Sequence, residues 1–432
     1  MIFILICLLC GFMIIRNKGQ KRFDWFVCAA LLLSSSITIL KSPQIQAHRF
    51  FILCYWLSVV VYKEYRHNKF PLLIPLIIYG AGEMFIGWQD TLLTSFYRLW
   101  KPFAFLLDSY LIMLMAFWGT KNVRINSKPI INTLLIMTIY GIFTLVIKNN
   151  PLQQFIWSRF SDATYLTDYY FGGRIRITST WSHPIAYGFV CSTFAVLLLK
   201  YLKNKKCLIT FILLVINVFI CGSRTSLAAL ILMIALYALL EYKFSKLTRL
   251  TILLVPALFL AYLVLPPVQE KIDSIVNTAM GNSDVGGSSI EMRQGQLVAS
   301  LMIFASSPMY GHGPDYIQEN MMSNQRLMDQ YFMRGYDFEG FECYYYILLI
   351  ERGIVGIVLE VMLVVFILMY LIRNRKRNKQ RSSEALMIFL GFVFFALSTG
   401  ALDTWMFTTF FVGLCMNRIK NGEGDLLTKK TK

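Results

Sequence analysis

Long apolar stretches separated by short polar connections run along the whole chain. A bilayer core of about 30 Å needs roughly 17 to 25 apolar residues per helix, or fewer where neighbouring helices cover the ends. Met1 to Ile15 has no basic residue before it and no small-residue cleavage site after it, so it predicts a retained first span. The pattern predicts about thirteen spans, at residues 1–15, 25–40, 50–62, 71–88, 102–118, 130–147, 184–199, 207–221, 225–240, 250–266, 344–372, 385–402 and 404–416.

Two connections are much longer than the others, and loops beyond about 15 residues are usually functional or disordered. The expected fold class is therefore an all-α polytopic membrane protein with about 12–13 transmembrane helices and a large helical extracytoplasmic loop. The expected organisation is N-terminal transmembrane helices (1–147), a first long loop (148–183), central transmembrane helices (184–266), a large loop (267–343), C-terminal transmembrane helices (344–416) and a tail (417–432).

The large loop contains a predicted helix of its own. Ser288 followed three residues later by Glu291 is a capping-box pattern, and the serines and proline at 306–308 would end the helix. An apolar stripe on this helix would place Arg293 on its buried face, because Arg293 lies four residues before the first member of the stripe. The stripe consists of Leu297, Leu301 and Phe304.

Composition and charge decide the protein class and the topology. With 56% hydrophobic and only 15% charged residues, a water-soluble fold is excluded. The net charge of +18 does not indicate nucleic acid, because Lys and Arg form short clusters between apolar runs. Two thirds of them lie in alternate connections, which by the positive-inside rule predicts an outside N-terminus and a cytoplasmic C-terminus. The nine cysteines show no disulfide or metal-ligand spacing.

Two arginine groups on the predicted outer side suit an anionic ligand. Arg174 and Arg176 follow a pair of glycines, and guanidinium forks beside exposed backbone N–H groups bind anions. The alternative is two solvated loop arginines. Arg224 lies in a hairpin where Ser223 or Thr225 could cap a helix whose N-terminus favours an anion. An interfacial arginine in a tight turn is the alternative there.

Further candidates follow along the chain. His183 precedes a proline at a helix start, where the alternative is a capping or packing histidine, and His312 lies in a glycine-rich turn, where a turn histidine is the alternative. Glu342 stands where the large loop meets the membrane, an environment that could raise its pKa toward that of a general base. A surface glutamate is the alternative. Arg352 lies just beyond, in Glu351-Arg352-Gly353.

Acidic residues inside predicted spans are expensive in lipid and are candidates for ion or proton relays. They would be the coupling acids of a transporter, which is the rival interpretation from another functional class. No internal repeat of the kind common in transporters is visible, and alternating access does not require a long outer loop. The acids are Glu83, Asp108 and Glu360, whereas Asp403 lies at a predicted outer turn, where a solvated carboxylate is the alternative.

Taken together, these motifs resemble the O-antigen ligase and polymerase superfamily of bacterial envelopes. The resemblance rests on Arg176 upstream of His183-Pro184, on Gly222-Ser223-Arg224-Thr225 at a helix hairpin, and on Arg293 before Ser307-Pro308-Met309-Tyr310-Gly311-His312-Gly313. It covers about residues 170–360. It implies a GT-C-like membrane fold and a metal-independent inverting glycosyltransferase without a cofactor.

The resemblance also implies a substrate and roles for residues. The donor would be a glycan on undecaprenyl diphosphate, with the diphosphate held by Arg176, Arg224 and Arg293. The resemblance also implies that ligases of the superfamily carry a histidine eleven residues before the glycine that matches Gly353. This sequence has Glu342 at that position. Glu342 is thus the expected catalytic base, with Arg174, His183, His312 and Arg352 as secondary candidates.

This difference favours a polymerase of lipid-linked repeat units, for O-antigen or capsule, over a ligase that joins glycan to a lipid or protein. The donor and acceptor would both be lipid-linked glycans, and a chain-length regulator and a flippase are expected partners. The expected location is the bacterial cytoplasmic membrane.

Overall fold

The computed structural model describes residues 2–33, 36–40, 42–66, 69–89, 94–160, 176–241, 288–321, 340–397, 399–400 and 404–422. It confirms an all-α polytopic membrane protein. The predicted span at 250–266 lies outside the described residues, and the total number of spans stays a prediction. Five helical stretches in the described part are long and apolar enough to cross a membrane: Phe96–Gly119, Lys128–Val146, Pro184–Tyr201, Arg224–Glu241 and Tyr344–Asn374.

Most helices follow the predicted apolar runs, and short π-helical turns occur at Leu107–Leu111 and Ile317–Met321. The helices are α1 (Ile2–Arg16), α2 (Gly19–Leu32), α3 (Ala47–Val61), α4 (Leu73–Gln89), α5 (Ser95–Leu106), α6 (Ile112–Gly119), α7 (Lys128–Val146), α8 (Pro151–Phe160), α9 (Pro184–Leu198), α10 (Lys205–Ile220), α11 (Arg224–Glu241), α12 (Ser288–Ser306), α13 (Tyr344–Asn374), α14 (Lys379–Ala396) and α15 (Trp405–Asn421).

Polar residues in the connections start several of these helices. The Asn204 side chain accepts a hydrogen bond from the Lys206 N–H at 2.9 Å, and the Asn378 side chain caps α14 in the same way. Proline stands in the first turn of α8 and of α9, where its missing N–H costs nothing. Helix α8 is an element of the first long loop that hydropathy did not indicate.

The second predicted span, at 25–40, is wrong in its last part. Helix α2 ends at Leu32, and the chain then forms a small antiparallel hairpin of β1 (Thr38–Leu40) and β2 (Ile45–Gln46). β-branched residues at 37–39 favour extended backbone, and Pro43 lies in the turn between the strands. Hydropathy alone cannot separate an apolar helix from a short apolar strand.

Helices α9 and α15 lie in the centre of the bundle, with nearly every residue buried. Peripheral helices instead turn large apolar side chains outward. Ile2 is 70% exposed, Ile74 72% and Val146 74%. Contiguous exposed apolar surface of this kind is a liability in water and is suited to lipid.

Connections predicted to share a side of the membrane contact one another. At one end of the bundle Arg22 pairs with Glu64, and Lys200 Nζ lies 2.7 Å from Glu384 Oε1. At the other end, the Ser42 and Tyr97 hydroxyls are 2.9 Å apart. The predicted alternation of connections therefore agrees with the packing, while the assignment of one end to the cytoplasm stays a prediction.

Candidate functional site

An ion pair joins two residues that the sequence singled out separately. Arg293 on α12 donates from Nε and Nη2 to Glu342 Oε2, at 3.2 and 2.9 Å. The Gln296 side chain holds the same two segments together, because it donates to the Gly340 carbonyl and accepts from the Glu342 N–H at 3.1 and 3.0 Å. The side chains of Arg293 and Glu342 remain 33% and 39% exposed. The pair is thus fixed in place and still accessible to a ligand.

The expected orientation of α12 is wrong. Leu297 is 41% exposed and Leu301 is 50% exposed, so the apolar stripe does not face the protein core. The helix instead buries a face of small and polar residues, and Arg293 lies at the edge of that face. The rule that apolar stripes face inward holds in water, whereas helices in membranes often meet through small residues. The buried residues are Gln296, Ala299, Ser300 and Ile303.

The side chain of Arg176 lies against Gly222, two residues before Arg224, the first residue of α11. A Cβ added to Gly222 would be 2.8 Å from the Cγ of Arg176, so only glycine allows this approach, and Gly222 has a φ of +77°. The Ser223 hydroxyl accepts from the Ser226 N–H at 3.1 Å, which identifies Ser223 as the cap. The structure thus brings two predicted arginines to one helix N-terminus, a position that favours anions. Arg174 lies outside the described residues.

The two histidines make contacts of the structural kind. His183 Nδ1 accepts from the Ile185 N–H at 3.3 Å and caps α9. His312 Nε2 lies 2.9 Å from Ser306 Oγ, and its ring stacks on Tyr316 with centroids 4.3 Å apart. Both observations match the capping and turn roles that the sequence left open.

Helix α13 is broken at Gly353, where φ is +61° and ψ is −160°. The turn at 308–313 fills the break with its own backbone. The N–H groups of His312 and Gly313 donate to the carbonyls of residues 350 and 351, at 2.9 and 3.0 Å. In return, the N–H groups of residues 354 and 355 donate to the carbonyls of Pro308 and Met309, also at 2.9 and 3.0 Å. These four hydrogen bonds replace helix bonds that the break removes, which suits a membrane, where unpaired backbone groups are costly.

Two glycines make this joint possible. A Cβ on Gly353 would be 2.6 Å from the Gly311 nitrogen, and a Cβ on Gly311 would be 2.3 Å from the carbonyl carbon of Glu351. Both glycines also have positive φ. The turn at 308–313 and the break at Gly353, two separate motifs in the sequence, therefore form one feature, called here the glycine joint.

Arg352 is buried beside the glycine joint and is fully engaged. Its Nε donates to Glu83 Oε2 at 2.8 Å and its Nη1 lies 3.3 Å from Glu351 Oε2. The guanidinium also lies 4.3 Å from the centroid of the Phe105 ring. Arg352 therefore neutralises two buried carboxylates, which would be very costly in lipid if left unpaired.

The other acids within spans are also partnered. Asp108 Oδ2 accepts from Arg49 Nε at 2.6 Å, and Glu360 accepts from the hydroxyls of Tyr79 and Tyr110 at 2.7 and 2.5 Å. These contacts give the acids a structural explanation that needs no ion relay. Asp403 lies outside the described residues.

A polar cleft of about 690 Å³ opens between the hairpin, α5 and the glycine joint. Its members come from both halves of the chain, and both π-helical turns border it. Sequence reasoning missed Arg49, Lys101, Asp315 and Glu319, because each is an ordinary polar residue until the fold places them together. The cleft is lined by Gln44, Gln46, His48, Arg49, Tyr97, Trp100, Lys101, Ala104, Phe105, Asp108, Ser109, Pro314, Asp315, Gln318, Glu319, Tyr344, Ile347, Glu351, Arg352, Trp405 and Met406.

Cys343, next to Glu342, is not suited to nucleophilic chemistry. Burial raises the pKa of its thiol, and the nearby Arg293 offsets this only in part. The thiol therefore stays protonated near neutral pH. Among the described residues no three His, Cys, Asp or Glu side chains are grouped as a metal site requires, and independence from metal stays a prediction.

Residues 209–361 match the model of a protein family described as O-antigen ligase. The matched part contains Ser223 and Arg224, Arg293, Glu342 and the glycine joint, whereas Arg176 precedes it. No curated protein matches the chain. The match supports the O-antigen ligase and polymerase superfamily, whose members are glycosyltransferase-like enzymes, and it does not separate ligases from polymerases.

Proposed function

We propose that this protein is a polysaccharide polymerase of the bacterial cytoplasmic membrane. It transfers a glycan from undecaprenyl diphosphate onto a lipid-linked repeat unit at the extracytoplasmic face. The observation that carries the proposal is the accessible Arg293–Glu342 pair, which lies inside the matched segment at the junction of the large loop and α13. A cation beside a carboxylate supplies the two functions that glycosyl transfer from a diphosphate needs.

In the proposed reaction an acceptor hydroxyl oxygen attacks the anomeric carbon of the donor sugar. The bond from that carbon to the diphosphate oxygen breaks, and both electrons leave with undecaprenyl diphosphate. Glu342 takes the hydroxyl proton as general base and later releases it to water. The new glycosidic bond forms on the face opposite the leaving group, so the anomeric configuration inverts.

The arginines stabilise the negative charge that develops on the diphosphate. Arg293 is held next to the base, while Arg176 and Arg224 lie at the N-terminus of α11, whose dipole adds to their charge. Arginine is suited to this task because its planar fork binds phosphate oxygens in pairs. The proposal requires residues of the large loop and of α11 to bind the same substrate molecule.

The second candidate is a ligase that joins finished glycan to another acceptor. It is favoured by the description of the matched family. The polymerase is preferred because Glu342 stands where the ligases of the superfamily are expected to have a histidine. Glycan analysis of a deletion strain separates the two: loss of a polymerase leaves single repeat units attached, whereas loss of a ligase leaves long chains on the carrier lipid.

The direct test is incubation of the full-length protein in lipid nanodiscs with purified lipid-linked repeat units. The expected product is a ladder of longer glycans. Arg224→Ala and Arg293→Ala are expected to reduce the ladder strongly, and Arg66→Ala is the matched control, because Arg66 is exposed and at the other end of the bundle. A wild-type protein that moves lipid-linked glycan between leaflets without lengthening it would refute the proposal.

A further inference from the structure

We propose that the polar cleft binds neutral sugar units of the glycan and not its diphosphate. This inference rests on the proposed function for the identity of the glycan. It assigns a substrate role to the N-terminal helices, all of which precede the matched family segment. Three properties of the cleft support it: paired charges, aromatic surface, and buried polar atoms that have no partner among the described residues.

The charges of the cleft are already balanced within the protein. Arg49 pairs with Asp108 at 2.6 Å, and Lys101 Nζ lies 2.9 Å from Asp315 Oδ2 and also contacts Glu319. Arg352 is held by Glu83 and Glu351, as described above. Each cation of the lining, Arg49, Lys101 and Arg352, is thus already paired with at least one carboxylate of the protein. A diphosphate could bind these cations only by displacing their carboxylates.

Aromatic rings and amides line the remaining surface. Tyr97 and Trp100 lie on the side of α5, and Tyr344 and Trp405 pack edge to face with centroids 5.6 Å apart. Gln318 also lines the cleft and is exposed, and its amide can both donate and accept hydrogen bonds. Sugar rings present apolar C–H faces and hydroxyl edges, so they match a surface of rings that also carry polar ends.

Buried polar atoms of the lining have no partner within the part of the chain that the structure describes. They are Tyr344 Oη, Trp405 Nε1 and Asp108 Oδ1. Tyr344 and Trp405 are only 2% and 3% exposed. An unpaired buried polar group costs roughly 1–3 kcal/mol. Hydroxyl groups, which donate and accept, can satisfy both the N–H of Trp405 and the carboxylate of Asp108.

The helices around the cleft are irregular at the lining residues. One π-helical turn, Leu107–Leu111, carries Asp108, and the other, Ile317–Met321, carries Gln318 and Glu319. π-helical turns are rare in proteins overall, and those that occur are often at functional sites. The glycine joint adds a third irregularity. Three departures from regular helix geometry at one cleft indicate that its lining is shaped for a ligand.

The test measures binding of two probes to the full-length protein in nanodiscs by isothermal titration. The first probe is the repeat-unit oligosaccharide released from its lipid by mild acid, and the second is undecaprenyl diphosphate without sugar. Trp100→Ala and Gln318→Ala are expected to weaken oligosaccharide binding by about tenfold and about threefold. Trp100→Phe should keep most of the affinity. Trp88→Ala, at a lipid-facing tryptophan outside the cleft that is 54% exposed, should change nothing.

The second probe separates this inference from the proposed function. Undecaprenyl diphosphate should bind Trp100→Ala as it binds the wild type, and should bind Arg224→Ala about tenfold more weakly. Oligosaccharide affinity that survives both Trp100→Ala and Gln318→Ala, or competition between oligosaccharide and inorganic pyrophosphate, would overturn the inference. If the protein binds oligosaccharide but forms no product ladder from lipid-linked repeat units, the proposed polymerase function is overturned. The inference that the cleft binds sugar is not affected by that result.

Discussion

Replacement of Glu342 by glutamine tests the proposed base most directly. The amide keeps the size of the side chain and can still contact Arg293, but it cannot take a proton. General-base catalysis contributes about 100- to 10,000-fold. We therefore expect Glu342→Gln to lower kcat for chain extension by at least about 100-fold, with a much smaller change in KM.

The same substitution should barely affect folding. The two side chains of the Arg293–Glu342 pair are 33% and 39% exposed, so solvent screens the attraction between them. Pairs of this kind contribute about 0.2–1 kcal/mol. The hydrogen bond from the Glu342 N–H to Gln296 belongs to the backbone and is unaffected. A loss of activity with an unchanged melting temperature would thus report chemistry and not stability.

The assay is the initial rate of ladder formation by the nanodisc protein. Asp24→Asn is the matched carboxylate-to-amide control, because Asp24 lies at the other end of the bundle, where it accepts hydrogen bonds from Gln20 and Ser127. In Glu342→Ala, added formate should restore part of the rate by replacing the missing carboxylate. Glu342→Gln with more than a tenth of the wild-type kcat, or Glu342→Ala that formate does not rescue, would refute the assignment of Glu342 as base.

Three further predictions concern the joint, the buried ion pairs and the arginines. Gly353→Ala should destabilise the protein by roughly 3 kcal/mol or more, since its φ of +61° and a backbone contact at 2.6 Å exclude a side chain. Gly295→Ala should stabilise it by about 0.5–1 kcal/mol, because no atom of the described residues would lie within 4 Å of the added Cβ. Thermal unfolding in detergent compares the two variants. Glu83→Gln should lower the free energy of unfolding by about 3 kcal/mol in the same assay, because the buried Arg352 then loses one of its carboxylate partners. Arg352→Met added to Glu83→Gln should recover part of the loss. Arg224→Lys keeps the charge without the fork and should bind undecaprenyl diphosphate clearly more weakly than the wild type; equal affinity would contradict bidentate binding.

Much of the fold could be predicted because apolar runs and capping residues, which are local in the sequence, determine where membrane helices begin and end. An apolar run long enough for a bilayer predicted α7 and α11 closely, and the capping pattern predicted α12 with its end at Ser306. The sequence also limited the cap of α11 to Ser223 or Thr225, and the structure identifies Ser223. Each of these features depends on residues within a few positions of one another.

The cleft could not be predicted, because its parts are far apart in the sequence. Lys101 and Asp315 have no local signature that links them, and π-helical turns have none either. The predicted orientation of α12 was wrong because the sequence does not say what an apolar stripe contacts. Beside a membrane, such a stripe can face either the protein core or lipid. The Arg293–Glu342 contact was also beyond reach, although both residues were singled out by type and position.

The glycine joint also bears on how this protein can change in evolution. Its four hydrogen bonds are made by main-chain atoms, so the bonds do not depend on which side chains lie along residues 308–313, provided that Gly311 and Gly353 remain. Residues elsewhere in the large loop can therefore diversify without moving the point where the loop meets the membrane. A descendant with a different loop sequence would keep the same anchor and alter the surface around it.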